Sequence, residues 1–349
     1  MEKSPLQSTP AGAFRFNTDS SKLEYYDGNQ WVNVTSDSPQ VQTGGTRGLF
    51  FGGYGPSPSP SVRRSQIDFI NVDTTGNGAD FGDLVAANKD AGACASRTRG
   101  IVAGGDAGPR TDMIQYVTVS STGDAIDFGG DLTGDARRSA KGMNNSTRGV
   151  FAGGDLPAGS VNTIDYITIA STGIDAQDFG DLAAASSGPA GGCTSPTRGI
   201  HAGGDPGVNT IQYLTISTLG NTADFGDLTV ARRGGPAGCS NAVRGLFGGG
   251  LPAFTTIDYI TMASLGNALD FGDLSTSVWL NAACSSPTRG VWAGGYNPSA
   301  NATYNVMEYV QIASTGNAAD FGDLSAIGGS GTGVRRSFVG ASNGNGGLG

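Results

Sequence analysis

Residues 190–228 read AGGCTSPTRGIHAGGDPGVNTIQYLTISTLGNTADFGDL. They divide into four short segments. Ala190–Thr194 is small and glycine-rich, and Thr197–Gly204 is a brief apolar run ending in Gly-Gly. Thr210–Ser217 is β-branched and aromatic with a period of two, and Ala223–Leu228 completes the series. Such runs, bounded by Gly, Pro, Asn and Ser, predict strands joined by tight turns. No segment sustains helical periodicity.

The same wording recurs along the chain. Asp-Phe-Gly-Asp-Leu or a near copy places phenylalanines at Phe81, Phe128, Phe179, Phe225, Phe271 and Phe321, with an extra Gly130 in the second copy. An Arg-Gly pair recurs at Arg47, Arg99, Arg148, Arg198, Arg244 and Arg289, at spacings of 52, 49, 50, 46 and 45. One unit of about 48 residues is therefore present six times, and four strands in a unit of that length is the arithmetic of a β-propeller blade. The 59 glycines among 349 residues follow from the copying of glycine turns rather than from disorder.

These residues resemble kelch-type repeats, in which the second strand ends in Gly-Gly and the third carries an aromatic. Here the pairs are Gly52–Gly53, Gly104–Gly105, Gly153–Gly154, Gly203–Gly204, Gly248–Gly249 and Gly294–Gly295. The aromatics are Phe69, Tyr116, Tyr166, Tyr213, Tyr259 and Tyr309. The fourth-strand tryptophan usual in kelch is replaced by the Asp-Phe-Gly-Asp-Leu phenylalanine. The resemblance covers about residues 46 to 344 and implies an all-β fold.

A column of residues shows how the ends meet. Cys94, Cys193, Cys239 and Cys284 each lie five residues before a repeat arginine, and Met143 fills the same place before Arg148. Nothing suitable precedes Arg47. VRRSFVGASNG near the C-terminus copies a first strand and puts Ala341 in the column. The last strand is expected to pair with the second strand of the first unit, closing a six-bladed propeller and removing its open edges. A seven-bladed ring is the alternative, if residues 13–34 pack beside 335–344.

Residues 1–12 read as an arm, 13–35 as a small β attachment module, 36–45 as a polar linker and 46–349 as the propeller. AFRFNTDSSKLEYYDGNQWVNV predicts a meander of three short strands with turns at Asn17–Ser21 and Asp27–Asn29. The module looks like one common near the N-termini of bacteriophage tail and fibre proteins. The TIDYITIAST–ADFGDL wording looks like repeats in structural proteins of phages of marine bacteria. These resemblances imply a virion protein assembled in the host cytoplasm, contacts with other virion proteins through residues 1–45, and a homotrimer.

Composition narrows the function. With 21 basic and 30 acidic residues the net charge is −9, which disfavours nucleic acid as a partner. MEKSPLQSTP carries no apolar stretch, so no secretory signal is expected, and no run is long enough for membrane insertion. Four cysteines in this length do not suggest a disulfide framework. Asp-Phe-Gly in six copies, without a kinase's other motifs, reads as structure. The paired aspartates, such as Asp80 with Asp83 and Asp224 with Asp227, are too few per site for calcium and read as turn and blade contacts. His201 is the only histidine, which leaves no histidine-rich copper centre and little scope for a triad. No catalytic residue, metal or cofactor is expected. The repeat arginines are expected to pair with third-strand Asp68, Asp165, Asp258 and Glu308, facing Gln115 and Gln212 in the other copies, as glue between blades; the functional alternative is an anion-binding ring.

Loops 1–2 and 3–4 share one end of the ring and barely vary. Loops 2–3 and 4–1 share the other end and differ in length and chemistry, which is where binding specificity resides on a rigid scaffold. They offer Tyr54, Phe254, Trp279, Tyr296 and Tyr304 as aromatics that stack on sugars, anchor a protein or cap the core. The expected function is a tail-appendage or fibre adhesin for a host surface glycan or protein. The alternatives are a non-receptor structural piece of capsid, neck or baseplate, and a hydrolase or oxidase on a propeller.

Overall fold

Glycine turns cut the chain into short strands, and only antiparallel pairing can join strands so closely spaced. The computed structural model describes residues 10–17, 22–33, 46–55, 62–188, 192–234, 236–326 and 333–348. The linker at 36–45 and most of the arm at 1–12 lie outside them. The chain forms two units, residues 1–43 and 44–349.

The first unit is a three-stranded sheet of β1 (Phe14–Asn17), β2 (Lys22–Tyr26) and β3 (Trp31–Asn33) in that order. The Asp27 carboxylate accepts the Asn29 and Gln30 N–H groups at 2.7 Å each, fixing the Asp-Gly turn and holding that carboxyl below its usual range. Cross-strand pairing puts Phe14 opposite Tyr25, Phe16 opposite Leu23 and Tyr25 opposite Val32, so these five share one face. That face is exposed: Phe14 by 65 % and Phe16 by 63 %.

The second unit is all-β. Among its described residues, the only helical element is a 3-10 turn at Gly346–Leu348. Sheet 2 shows the plan, with its four strands Gly92–Ala95, Arg99–Ala103, Met113–Thr118 and Ile126–Asp131 pairing in chain order. Sheets 3 to 6 repeat it from Lys141, Cys193, Ala237 and Ala282. Sheet 1 takes its first strand from the far end of the chain: Val339–Ser342 pairs antiparallel with Arg47–Phe51, placing Ala341 opposite Leu49. In the same column Cys94 lies opposite Ile101 and Cys239 opposite Leu246. The closing strand expected from sequence is therefore present. Strands β1–β3 form a sheet of their own rather than adding to sheet 1.

First strands touch in cyclic order: sheet 2 with 3, 3 with 4, 4 with 5, 5 with 6, 6 with 1 and 1 with 2. Hydroxyls stitch part of this series, since Ser240, Ser285 and Ser342 donate to the carbonyls of Thr194, Ser240 and Ser285 respectively. At the far edge, each Asp-Phe-Gly-Asp strand receives the turn between the third and fourth strands of the next sheet. Gly123 N–H donates to Phe81 O at 2.7 Å, and the relation recurs through to Gly76 N–H on Phe321 O at 2.8 Å. The motif glycine lets these backbones meet: a Cβ on Gly82, at φ 148°, would lie 2.4 Å from Gly123 O. The aspartates act in turn contacts as expected, with Asp124 accepting the Asp83 N–H at 2.9 Å.

The core lies between consecutive sheets as six clusters of buried aliphatic and aromatic side chains. Within each sheet the repeat phenylalanine meets the third-strand aromatic edge-on, with centroids 5.8–6.1 Å apart.

One expectation is overturned. The repeat arginines do not pair with the third-strand acids. Each lies over the aromatic of its own sheet, from 4.4 Å for Arg148 over Tyr166 to 5.1 Å for Arg47 over Phe69. Each also donates to a backbone carbonyl of the next sheet: Arg47 to Val119, Arg99 to Ile169, Arg148 to Ile216, Arg198 to Met262, Arg244 to Ile312 and Arg289 to Val72. The arginine is the first residue of its strand, whereas the acid lies opposite a residue farther along it, as Asp68 lies opposite Phe50, and at the arginine's end the next sheet offers carbonyls rather than carboxylates. Three of the four acids instead meet arginines that lead into the 4–1 connections, and Glu308 accepts the Ser275 N–H. Asp68 pairs with Arg335, Asp165 with Arg137 at 2.5 Å and Asp258 with Arg232 at 2.7 Å.

Candidate functional site

The two varied sets of loops converge where the six first strands meet. Each 2–3 connection starts just after Gly-Gly and contributes one residue there, in order Tyr54, Asp106, Asp155, Asp205, Leu251 and Tyr296; in the fifth copy the turning pair is Gly249–Gly250, one residue beyond the Gly248–Gly249 expected from sequence, because Gly248 still belongs to the strand. Each 4–1 connection contributes another: Lys89, Arg138, Ser187, Arg233, Trp279 and Arg336. Backbone bridges tie the two sets across neighbouring sheets, Lys89 to Asp106, Arg138 to Asp155, Ser187 to Asp205, Arg233 to Leu251, Trp279 to Tyr296 and Arg336 to Tyr54.

The residue after each of the second set turns the chain toward its first strand. Asp90, Ser139, Leu280 and Ser337 take φ of 55°, 61°, 58° and 57°, and Gly188 and Gly234 stand in the equivalent places at 150° and 74°. A positive φ is unfavourable for residues with a Cβ, and such positions cluster at functional sites. Here the turn is imposed at all six junctions, which makes it part of the architecture.

All of these residues except Asp106 and Tyr296 line an open cavity of about 670 Å³ that draws on all six junctions, a volume suited to a small ligand. The opposite end is occupied by the chain's own tail. Asn345 donates to the carbonyls of Ala95 and Ser342, its side-chain oxygen accepts from Asn144, and Arg97 donates to Leu348 O. Gly346 and Gly347 leave no room for a Cβ against Thr194 O and Asn144 O. This NGNGGL tail lies mostly beyond the repeat, and its glycines are the one sequence signal of such close packing.

Charge around the cavity is mixed. Lys89 contacts Asp90 at 3.1 Å and Asp106 at 3.5 Å, Arg63 reaches Asp106 at 2.7 Å, and Arg110 reaches Asp155 at 2.7 Å. Burial works to raise the Asp106 carboxyl, but the Gly108 N–H, Arg63 and Lys89 hold it below its usual range. Three arginines occupy equivalent positions, each following a buried arginine of the Asp pairs. Arg138 has Asp155 at 3.0 Å and Asp106 at 3.7 Å. Arg233 has Asp205 at 3.1 Å. Arg336 has no carboxylate among the described residues; it lies over Tyr296 at 4.3 Å and Tyr54 at 5.5 Å.

The five aromatics singled out from sequence separate here. Tyr54 and Trp279 line the cavity. Tyr296 borders it through Trp279 and Arg336. Phe254 and Tyr304 do not. Phe254 lies beside the buried Arg232, and Tyr304 packs on the cluster around Trp292. Both rings are turned between sheets, where they cap the core.

His201 is buried on a second strand, with both ring nitrogens lacking a partner among the described residues. Burial, then the charge of Lys141, lowers its pKa well below the ordinary value. The four cysteines are free and buried, their thiols pushed up by burial. Among the described residues no group of three or more His, Cys, Asp or Glu is placed to hold a metal ion.

No protein-family model matches the chain, and no curated protein matches it.

Proposed function

We propose that residues 46–349 form a six-bladed β-propeller that acts as a binding module, and that the whole chain is a virion structural protein of a tailed bacteriophage, a tail-appendage or fibre adhesin. The reading assigns it no reaction. The cavity at the end of the varied loops carries this proposal. It joins Tyr54 and Trp279 to paired and unpaired charges from five of the six junctions, the mixture by which a rigid scaffold orients a polar ligand while burying its apolar face. The cyclic contacts between first strands support the propeller reading. The exposed face of Phe14, Phe16, Leu23, Tyr25 and Val32 supports attachment to other virion proteins through the first unit.

The purified full chain, fluorescently labelled, is expected to bind host cells and to lose at least tenfold in affinity with Trp279→Ala. Imaging of labelled particles is expected to place it distally on the tail. A chain wedged between capsid, neck or baseplate subunits, with particles adsorbing normally without it and no binding of the free chain to cells, would establish the structural alternative instead.

A further inference from the structure

The three equivalent arginines of the cavity differ in what they face. The structural equivalents of Tyr296 are Asp106 beside Arg138 and Asp205 beside Arg233, and those of Tyr54 are Asp155 and Leu251. Around the cavity the arginine thus meets two carboxylates, then one, then none. At the third position the carboxylates are replaced by two tyrosines, and Arg336 is half-buried over both. A guanidinium lying on aromatic faces keeps its N–H groups in its own plane, free for acceptors at its edge. None of those N–H groups is donated to a protein acceptor among the described residues, and Arg336 lines the cavity alongside Trp279.

A planar, uncompensated guanidinium fits an oxyanion with two coplanar acceptors. Trp279 beside it fits the C–H face of a sugar ring. We propose that the cavity binds an anionic sugar residue, its carboxylate or sulfate on Arg336 and its ring against Trp279. This rests on the adhesin reading for its biological setting but not for its chemistry. The net charge of −9 makes the local arrangement selective: a polyanion is not attracted by the molecule as a whole, so recognition depends on this one group.

Calorimetric titration of the full chain tests the proposal with glucuronate, galacturonate and mannuronate oligosaccharides, their carboxyl-reduced neutral counterparts, and sulfated forms of those neutral sugars. At least one acidic sugar is expected to bind tenfold or more tightly than its neutral counterpart, and the carboxylate and sulfate arms identify the anion. Arg336→Gln is expected to bring the acidic sugar to the level of the neutral one, and Arg336→Lys to retain part of the preference. Acidic and neutral sugars binding equally, no binding in any arm, or a preference unchanged by Arg336→Gln would each overturn it. Retained cell binding that Trp279→Ala abolishes would leave the adhesin reading standing in that event. Acidic-sugar binding by a chain that does not bind host cells would remove the adhesin reading and keep this one.

Discussion

The glycine of the Arg-Gly pair shows how a two-letter motif records a contact made in another sheet. A Cβ on Gly290 would lie 2.6 Å from the sulfur of Cys239, on the first strand of the preceding sheet. The cysteine column and the Arg-Gly column are two sides of one contact, repeated between Gly149 and Cys94 and between Gly245 and Cys193. Gly290→Ala is expected to destabilise the fold by about 1–3 kcal/mol through overpacking. Cys239→Ala in the same chain should recover most of that loss, giving a coupling that urea unfolding of the four variants will measure. Lys141 is a second case. It fills a first-strand position held by Gly92, Ala237, Ala282 and Val339 in other sheets, donates to Ala202 O, and is lowered by burial to about 7. Unfolded, the amine holds its proton up to its ordinary value of 10.5, so above about pH 7 the unfolded chain binds the extra proton and stability rises with pH. The limiting slope is about 1.4 kcal/mol per pH unit. The buried thiols oppose this above pH 9.0, where unfolded cysteines ionise and folded ones do not. The rise between pH 7 and 9 is expected to flatten in Lys141→Met, as read from unfolding midpoints across that range.

Consecutive sheets are joined by two kinds of junction that alternate. At the junctions from sheet 2 to 3, 4 to 5 and 6 to 1, a short aspartate (Asp165, Asp258, Asp68) meets a buried arginine and a hydroxyl, Thr133, Thr229 or Ser325. At the other three, a longer side chain reaches a backbone N–H instead: Gln115 accepts from Val85, Gln212 from Ala183 and Glu308 from Ser275. Burial raises the Asp258 carboxyl and lowers the Arg232 guanidinium, so each ion depends on the other to stay charged. Arg232→Met is expected to cost about 3–5 kcal/mol by leaving that carboxylate uncompensated. Arg232→Met with Asp258→Asn should cost clearly less, which chemical denaturation will show. The strands were readable in the sequence because each copy stands in the same surroundings, so Phe81 and Phe321 look alike for the same reason. The partners of Asp68, Asp165 and Asp258 were not. Arg335, Arg137 and Arg232 occur in alternate copies only, and a reading of what all six units share passes over them. The cavity was half readable: loop variation pointed to its end of the molecule, but nothing in the spacing says that Tyr54 and Tyr296 flank one arginine while Phe254 and Tyr304 turn inward.

At the scale of the whole molecule, the second unit depends on a contact between its extremes, since Arg47 N–H donates to the Asn343 side chain at 2.9 Å beside the paired strands Val339–Ser342 and Arg47–Phe51. A chain ending at residue 338 would leave the backbone of Arg47–Phe51 without its first-strand partner, an open edge of the kind that seeks another strand. Such a chain is expected to lose its single cooperative thermal transition and to associate, and a peptide of residues 333–349 added in trans should restore the transition in a concentration-dependent way. The alternating junctions set a further condition on how such a molecule can be enlarged or reduced. Remove sheet 4 alone, and Asp258 would face the fourth strand of sheet 3, which carries Ser186 where Arg232 had been. An aspartate would then be buried with no cation. Remove sheets 4 and 5 together, and Glu308 would meet Ala183, whose N–H is already the kind of donor a longer side chain accepts. The number of sheets in relatives built on this plan should therefore change by two at a time, because the heritable unit is the pair.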